Sequence, residues 1–141
     1  MIEISKNLYL GSQEDALRVS RTKEVDAIVY LGQELPTKLS FNSQIPVFHI
    51  PLKDGEGNFK LSITETLLLV SYLTLEDKTL VACRAGLSRS SAIIAGCIVF
   101  SNSGKYSFDK ALSIVKSKAP AIMPELHLLA DIKTVVEELE N

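Results

Sequence analysis

The 141-residue chain predicts an α/β fold, a single-domain sandwich in which helices flank a central, mostly parallel, twisted sheet. Three observations predict it. Short apolar segments that suit buried strands alternate with longer segments of helical pattern. Hydrophobic residues make up 46% of the chain and charged residues 23%, which is ordinary for a globular protein with its own core. No repeat, low-complexity segment or linker divides the chain, so we expect one domain over residues 1–141.

The predicted strands share a run of apolar residues that a glycine, a proline or a polar segment ends. They are residues 2–10 (as one or two short strands), 27–31, 47–50 and the central strand 80–82. Residues 36–43, between the second and third of these segments, are polar and predict a loop.

The predicted helices share an apolar face and, in most cases, a polar residue that can cap the first turn. They run from Ser12 to about Thr22, from the Ser62–Glu65 capping box to about Leu75, from Ser91 to Phe100, from Ser107 onward and from Pro124 onward. Strands and helices alternate, so the carboxyl ends of the parallel strands form one edge of the sheet, the usual ligand edge of such folds.

The eight residues Cys83 to Ser90, with the sequence CRAGLSRS, are the most informative segment of the chain. This segment, the signature loop, lies between the predicted strand 80–82 and the predicted helix 91–100. A loop in that position can direct several backbone N–H groups at one point, which then binds an anion and stabilises a thiolate. Cys83 would supply a nucleophile there, and the planar guanidinium of Arg89 would bind two oxygens of a phosphoryl group.

The signature loop resembles the Cys-x5-Arg loop of the cysteine-dependent protein phosphatases, and Ser90 makes it most similar to their compact dual-specificity branch. Asn7–Ser12 resembles the family's opening strand and turn, Asp54 with Phe59–Ser62 resembles its acid-bearing loop, and Lys118–Pro124 resembles the segment before its last helix. The resemblance implies a dual-specificity phosphatase-like fold. It also implies hydrolysis of phosphotyrosine, phosphoserine and phosphothreonine esters through a cysteinyl-phosphate intermediate, without a metal or organic cofactor.

Residue chemistry and the resemblance together predict the catalytic residues. Cys83 attacks phosphorus, Arg89 binds the equatorial oxygens, and Asp54 protonates the leaving oxygen and then deprotonates the attacking water. Ser90, by resemblance, donates to the thiolate, although a helix-capping serine explains it equally well. The predicted substrate-binding residues contribute mainly backbone N–H groups, and they are Arg84, Ala85, Gly86, Leu87 and Ser88.

Several positions leave alternatives open. Glu56 competes with Asp54 as the acid, and Asp54 is favoured because it lies nearer the end of the preceding strand. Ala82 stands where the family usually has a histidine that helps to orient the loop, and Glu125 stands where related enzymes often carry an asparagine. Cys97 is expected in the core, and neither histidine has the spacing of a metal ligand.

Composition limits the expected partners and compartment. The net charge of −2 provides no basic field for nucleic acid or an anionic membrane, and the longest apolar run is too short to span a bilayer. Two cysteines without a secretory signal predict reduced thiols in the cytoplasm. We expect phosphorylated proteins or peptides as substrates, a phosphate- or sulfate-like anion in the signature loop, and a monomer by default.

Three other functions remain open from the sequence. Phosphatases for RNA 5′-ends or phosphoinositides use similar loops, but the weak charge and the absence of a Lys-rich loop count against them. Sulfur transfer through Cys83 is disfavoured by the Arg89 spacing and by Asp54. A phospho-reader that binds without turnover gains some support from Ala82.

Overall fold

Five strands form one sheet in a computed structural model, which describes residues 1–140. The strands are β1 (Ile2–Ser5), β2 (Leu8–Gly11), β3 (Ala27–Tyr30), β4 (Val47–His49) and β5 (Thr79–Ala82). Their spatial order is β1-β2-β5-β3-β4, and all neighbours are parallel except β1, which pairs antiparallel with β2 at one edge. The predicted mostly parallel sheet with residues 80–82 at its centre is therefore confirmed, and residues 2–10 form two strands.

The central strand β5 and its neighbour β3 are buried along their whole length. Every residue of β3 and of β5 is buried, because helices cover both faces of the sheet. A strand in that position has no solvent face, so its sequence is a continuous apolar run and does not alternate. This explains why the segments 27–30 and 79–82 could be recognised as strands from the sequence.

Within residues 1–140, six helices surround the sheet. They are α1 (Gln13–Thr22), α2 (Thr37–Asn42), α3 (Lys60–Leu73), α4 (Arg89–Ser101), α5 (Phe108–Lys118) and α6 (Leu126–Glu140). Two of the predicted caps are present: Ser12 forms a capping box with Asp15, and the Ser107 hydroxyl accepts from the Lys110 N–H at 3.1 Å. The predicted domain boundary at residue 141 lies outside the described residues.

Two sequence predictions about helices are wrong. Residues 37–42 form helix α2 where a loop was expected. The buried side chain of Leu39 attaches this short helix to the core, whereas its other side chains are exposed. Helix α3 begins at Lys60, so Ser62 lies inside its first turn and the predicted Ser62–Glu65 capping box is not formed. Phe59 takes the cap position without a side-chain hydrogen bond.

The core has two parts, one on each face of the sheet. The larger part packs the sheet against α3, α4, α5 and α6, and the smaller part packs it against α1 and α2. Gly96 lets α4 approach its neighbours closely, since a Cβ there would lie 2.7 Å from Ile132 and 2.9 Å from Leu67. Cys97 is buried as expected, and burial raises the pKa of its thiol to about 12.

No helix of residues 1–140 has the length and apolar character needed to cross a membrane.

Candidate active site

The signature loop connects the carboxyl end of β5 to the start of α4 and packs against the end of β2. Gly86 has a φ of 74°, and a Cβ added there would lie 2.8 Å from the backbone carbon of Gly11 and 2.9 Å from its oxygen. An L side chain at this position therefore meets both an unfavourable φ and a backbone clash. Glycine allows the loop to curl tightly above the sheet edge.

Cys83 lies at the base of this loop, with 2% of its surface exposed. Its Sγ is 3.2 Å from the Oγ of Ser90, which is fully buried in the first turn of α4. Ser90 does not occupy the cap position, because α4 begins at Arg89 and Ser88 precedes it. Of the two interpretations of Ser90 that the sequence left open, the geometry favours the contact with sulfur.

Arg89 reaches from the first turn of α4 back across the site. Its Nη1 donates to the carbonyl oxygen of Leu52 at 3.3 Å, whereas its Nε is buried and has no hydrogen-bond partner among the described residues. A buried donor without a partner costs about 1–3 kcal/mol. A bound oxyanion would remove that cost, so the guanidinium favours an anion beside the signature loop.

Asp54 lies against the same loop. Its Oδ1 accepts a hydrogen bond from the Ser88 hydroxyl at 2.5 Å, although Asp54 itself is exposed. The turn that carries it is fixed by Asn58, whose side chain accepts from the Lys53 N–H at 2.7 Å and donates to the Lys53 carbonyl at 2.8 Å. The competing acid Glu56 has a side chain that is 82% exposed, and it faces His127 at 4.0 Å. The structure therefore places Asp54 at the signature loop in preference to Glu56.

Ser88 has a role that sequence analysis missed. Besides donating to Asp54, its hydroxyl accepts from the backbone N–H of Glu125 at 2.9 Å. The side chain of Ser88 thus joins the signature loop to the turn that carries Asp54 and to the segment before α6. The sequence assigned only the backbone N–H of Ser88, because these partners lie 34 and 37 residues away.

Glu125 caps α6 with its side chain. Its carboxylate accepts from the Leu128 N–H at 2.8 Å and pairs with His127 Nδ1 at 2.7 Å. The hydrogen bond with His127 lowers the pKa of Glu125, and the same bond raises the pKa of His127. The glutamate thus forms its own contacts at the position where an asparagine was expected, and its backbone still reaches Ser88.

Tyr30 and Gln13 are further site residues that were not singled out from the sequence. They line a cavity of about 580 Å³ together with Arg84 and Arg89. The Tyr30 hydroxyl donates to Gln13 Oε1 at 3.2 Å, and burial raises the pKa of Tyr30, so the phenol stays protonated. The position of Tyr30 at the carboxyl end of a buried parallel strand was the available signal, because such ends share one edge of the sheet.

Ala82 precedes Cys83 at a position with no exposed surface. It is the register neighbour of Tyr30 on β3, and both side chains belong to the smaller part of the core. Tyr30 is among the largest fully buried side chains of the protein. The space beside residue 82 is therefore occupied by a phenol ring, which accounts for a small residue at a position where a histidine was expected.

The remaining predicted loop residues lie at the surface of the site. Arg84, Ala85 and Leu87 are exposed, and the backbone of Arg84 accepts from the Gln13 N–H at 3.1 Å. The loop is also fixed on its other side, where the Leu87 carbonyl accepts from the Met123 N–H at 2.8 Å. Residues from β2, α1 and the segment before α6 together hold the loop in its curled form.

Comparison with known proteins identifies the family. Residues 8–137 match the family model "Dual specificity phosphatase, catalytic domain". The chain is 32% identical to "Putative tyrosine phosphatase 123R" of Invertebrate iridescent virus 6, over 86% of this chain and 82% of the viral protein. It is 30% identical to Dual specificity protein phosphatase 19 of Mus musculus over 90% of this chain, which spans 58% of the mouse protein.

The fold agrees with these matches. The crystal structure of human DUSP28 superposes with a TM-score of 0.83 at 20% identity, covering 99% of this chain and 98% of that one. The crystal structure of DUSP15 gives the same TM-score over 100% of this chain and 90% of that one, again at 20% identity. With a family model that extends from β2 into α6 and a viral relative matched over most of its length, the chain belongs to the dual specificity phosphatase family.

Proposed function

We propose that this protein hydrolyses phosphotyrosine monoesters, and also phosphoserine and phosphothreonine monoesters, through a cysteinyl-phosphate intermediate. Its family makes it a protein phosphatase with phosphoproteins as substrates. The observation that supports the chemistry is the pairing of Cys83 with Ser90 at 3.2 Å beside the buried, unpartnered Nε of Arg89. A nucleophile, a donor to sulfur and an oxyanion partner meet there at the start of one helix.

In the first step, the Cys83 thiolate attacks phosphorus in line with the ester oxygen. The S–P bond forms, the P–O bond breaks, and Asp54 gives its proton to the departing oxygen. Arg89 and the backbone N–H groups of residues 84–89 bind the three equatorial oxygens, which carry the charge of the transition state. The buried Nε of Arg89 has no partner among the described residues, which supports a role in binding the oxygens as their charge develops.

In the second step, water attacks the cysteinyl phosphate. Asp54 now accepts a proton from this water, the S–P bond breaks, and inorganic phosphate leaves. The Ser90 hydroxyl, 3.2 Å from Sγ, donates to the sulfur as it regains negative charge. This contact makes the thiolate a better leaving group.

The exposed rim of the site supports a broad substrate range. Asp54, Arg84, Ala85 and Leu87 are exposed, so the base of the pocket lies close to the protein surface. A short phosphoserine or phosphothreonine side chain can reach such a base, and a phosphotyrosine can as well. A phosphate- or sulfate-like anion is the expected occupant of the signature loop.

For the compartment we propose the cytoplasm, because both cysteines are free and buried, as expected in a reducing environment. The net charge of −2 gives no reason to include nucleic acid or an anionic membrane among the partners.

The test compares Cys83→Ser with the wild-type enzyme on an aryl phosphate and on matched phosphotyrosine, phosphoserine and phosphothreonine peptides. We expect turnover by Cys83→Ser to fall at least ~1,000-fold, while phosphotyrosine peptide binding is retained. Acid quenching of the wild-type reaction should trap a phosphoryl group on the Cys83 peptide. Cys97→Ser is the matched control, since Cys97 is equally buried but lies within α4, about two turns beyond the signature loop.

Two results would contradict the proposal. Full activity of Cys83→Ser would remove the nucleophile from the mechanism. Tight binding of phosphopeptides by the wild-type protein without any turnover would instead identify a phospho-reader.

A further inference from the structure

Helix α3 is apolar on two opposite faces. Its inner face packs into the larger part of the core through Ile63, Leu67, Val70 and Leu73. Its outer face carries Leu61, Leu68 and Tyr72, and Leu75 follows in the turn after the helix. These four side chains are exposed by 68%, 46%, 72% and 75%, respectively. An apolar helix face is normally covered by other parts of the protein, and only the inner face of α3 is covered.

The four outer residues, which we call the α3 stripe (Leu61, Leu68, Tyr72 and Leu75), lie along α3 and the turn after it, with the exposed Glu65 between Leu61 and Leu68. At 3.6 residues per turn, the three helical members fall within an arc of about 40° and extend for roughly 17 Å along the helix. Spacings of seven, four and three residues are those of the a and d positions at a helix–helix seam. Isolated exposed apolar residues are common, but a contiguous strip of them marks an interaction surface.

We propose that the α3 stripe is the interface of a homodimer in which two copies of α3 pack antiparallel, with the two-fold axis close to Leu68. A monomer was expected only by default, and the exposure of this stripe is the reason to propose a dimer. A two-fold interface requires a surface that is complementary to itself. In this arrangement Leu68 meets Leu68 of the second copy, and Leu61 meets Leu75 of the second copy.

Glu65 decides the orientation of the two helices. It is exposed and lies on the same side of the helix as the stripe, between Leu61 and Leu68. Antiparallel packing places its carboxylate near the Tyr72 hydroxyl of the second copy, which can donate to it. Parallel packing would place two Glu65 carboxylates opposite each other at the seam, where like charges repel, and would align the two helix dipoles.

The size of the α3 stripe determines how strongly we expect two copies to associate. Specific protein interfaces bury at least ~1,200 Å² in total. Four partly exposed apolar side chains per copy form a small patch, so the contact needs the polar residues around them to reach that size. We therefore expect a weak dimer that forms as the protein concentration rises. The inference does not depend on the proposed phosphatase chemistry, because no residue of the stripe belongs to the candidate site.

The first test measures molar mass by sedimentation velocity at chain concentrations from about 1 to 300 µM. We expect the mass to rise from that of one 15.5 kDa chain toward twice that value. Leu68→Glu should weaken association at least tenfold, because it buries two carboxylates at the two-fold axis. Phe41→Glu on α2 is the matched control: it replaces an apolar residue that is 82% exposed and lies outside the stripe. It should associate as the wild type does, and both variants should keep wild-type kcat per chain, which shows that they fold.

The second test determines whether the two α3 helices pack antiparallel or parallel. Leu61→Cys and Leu75→Cys chains are mixed and oxidised with a copper–phenanthroline complex; the two native cysteines are both buried. Antiparallel packing predicts a disulfide between position 61 of one chain and position 75 of the other, with little 61–61 product. A monomer at every concentration, unchanged association of Leu68→Glu, or equal loss in Phe41→Glu would overturn the dimer. Efficient 61–61 linkage would overturn the antiparallel arrangement.

Discussion

Ser88 and Asp54 are joined by a 2.5 Å hydrogen bond in which the serine hydroxyl donates to Oδ1. The bond connects the turn that carries the proposed acid to the loop that carries the proposed nucleophile. The same hydroxyl accepts from the Glu125 N–H at 2.9 Å, and Arg89 forms a second link between the two segments through the Leu52 carbonyl. Asp54 is exposed, so packing does not hold it; Asn58 fixes its turn, and this hydrogen bond orients its carboxyl group.

Ser88→Ala should therefore impair proton donation more than nucleophilic attack. Asp54 is protonated when it acts as the acid, and a hydrogen bond between neutral groups contributes about 0.5–1.5 kcal/mol, so we expect kcat to fall up to ~tenfold on phenyl phosphate, whose leaving oxygen needs a proton. The loss should be small on a nitrophenyl ester with a much better leaving group. Steady-state kinetics on the two esters measure the difference, and Ser88→Thr, which keeps the hydroxyl, should restore most of the loss. An equal loss on both esters would show that Ser88 acts on the signature loop and not on Asp54.

Gly86→Ala should disrupt the signature loop. The new Cβ would lie 2.8 Å from the backbone of Gly11 in a residue whose φ is 74°, so backbone on one side or the other must move. Gly104→Ala is the matched control, because Gly104 also has a positive φ, of 79°, but has no atom within 4 Å of the added Cβ. The control isolates the cost of the left-handed conformation, about 1 kcal/mol.

We expect Gly86→Ala to lower the free energy of unfolding by more than Gly104→Ala does. We also expect it to reduce kcat at least ~tenfold, because the N–H groups of the loop would no longer point toward one anion. Urea unfolding and kinetics measure the two effects. If both variants lost the same stability and Gly86→Ala kept full activity, the contact with Gly11 would not determine the shape of the loop.

The features that the sequence predicted well are those with local causes. Strands β3 and β5 were recognised because burial on both faces requires continuous apolar runs. Ser12 and Ser107 were recognised as caps because a cap acts on a backbone N–H only three residues away. The roles of Cys83 and Arg89 stay predictions; the two residues were singled out because their spacing lies within one short segment.

The features that were missed depend on contacts between distant segments. Helix α2 is held by Leu39 against α1 and β3, and its six residues have too few apolar side chains to show a helical period. The hydroxyl of Ser88 acquires its role only when Asp54 and Glu125 are brought to it by the fold. Tyr30 lies at the candidate site because β3 and β5 are adjacent in the sheet and Tyr30 pairs in register with Ala82. The two residues are 52 positions apart in the sequence.

Ala82→His restores the residue that the family resemblance led us to expect, yet we predict that it will destabilise this protein. Position 82 is fully buried beside Tyr30, and a larger side chain in a packed core costs about 1–3 kcal/mol. Urea unfolding measures the loss. The double variant Ala82→His, Tyr30→Ala should lose less stability than the sum of the two single variants, because the alanine vacates the space that the imidazole needs. A stable Ala82→His variant with faster turnover would show that Tyr30 does not exclude the histidine.

His127→Gln should show a stability defect that depends on pH. The hydrogen bond with Glu125, followed by the charges of Glu125 and Glu56, raises the pKa of His127 above its ordinary value of 6.5. Protonated His127 therefore stabilises the folded protein fully below pH 6.5, and this contribution is lost as the pH rises through the raised pKa. The hydrogen bond with His127 lowers the pKa of Glu125 from 4.5, so the stability due to that carboxylate is present above pH 4.5 and is lost as the pH falls through the lowered pKa.

The difference in free energy of unfolding between the wild type and His127→Gln should thus be largest near about pH 5.5 and should vanish by about pH 9. The difference will be small, because both side chains face solvent and salt screens their attraction. Urea unfolding at half-unit pH steps in low salt provides the measurement, and the same series in high salt should flatten it. A deficit that is equal at every pH would mean that His127 supports the start of α6 through packing and not through its charge.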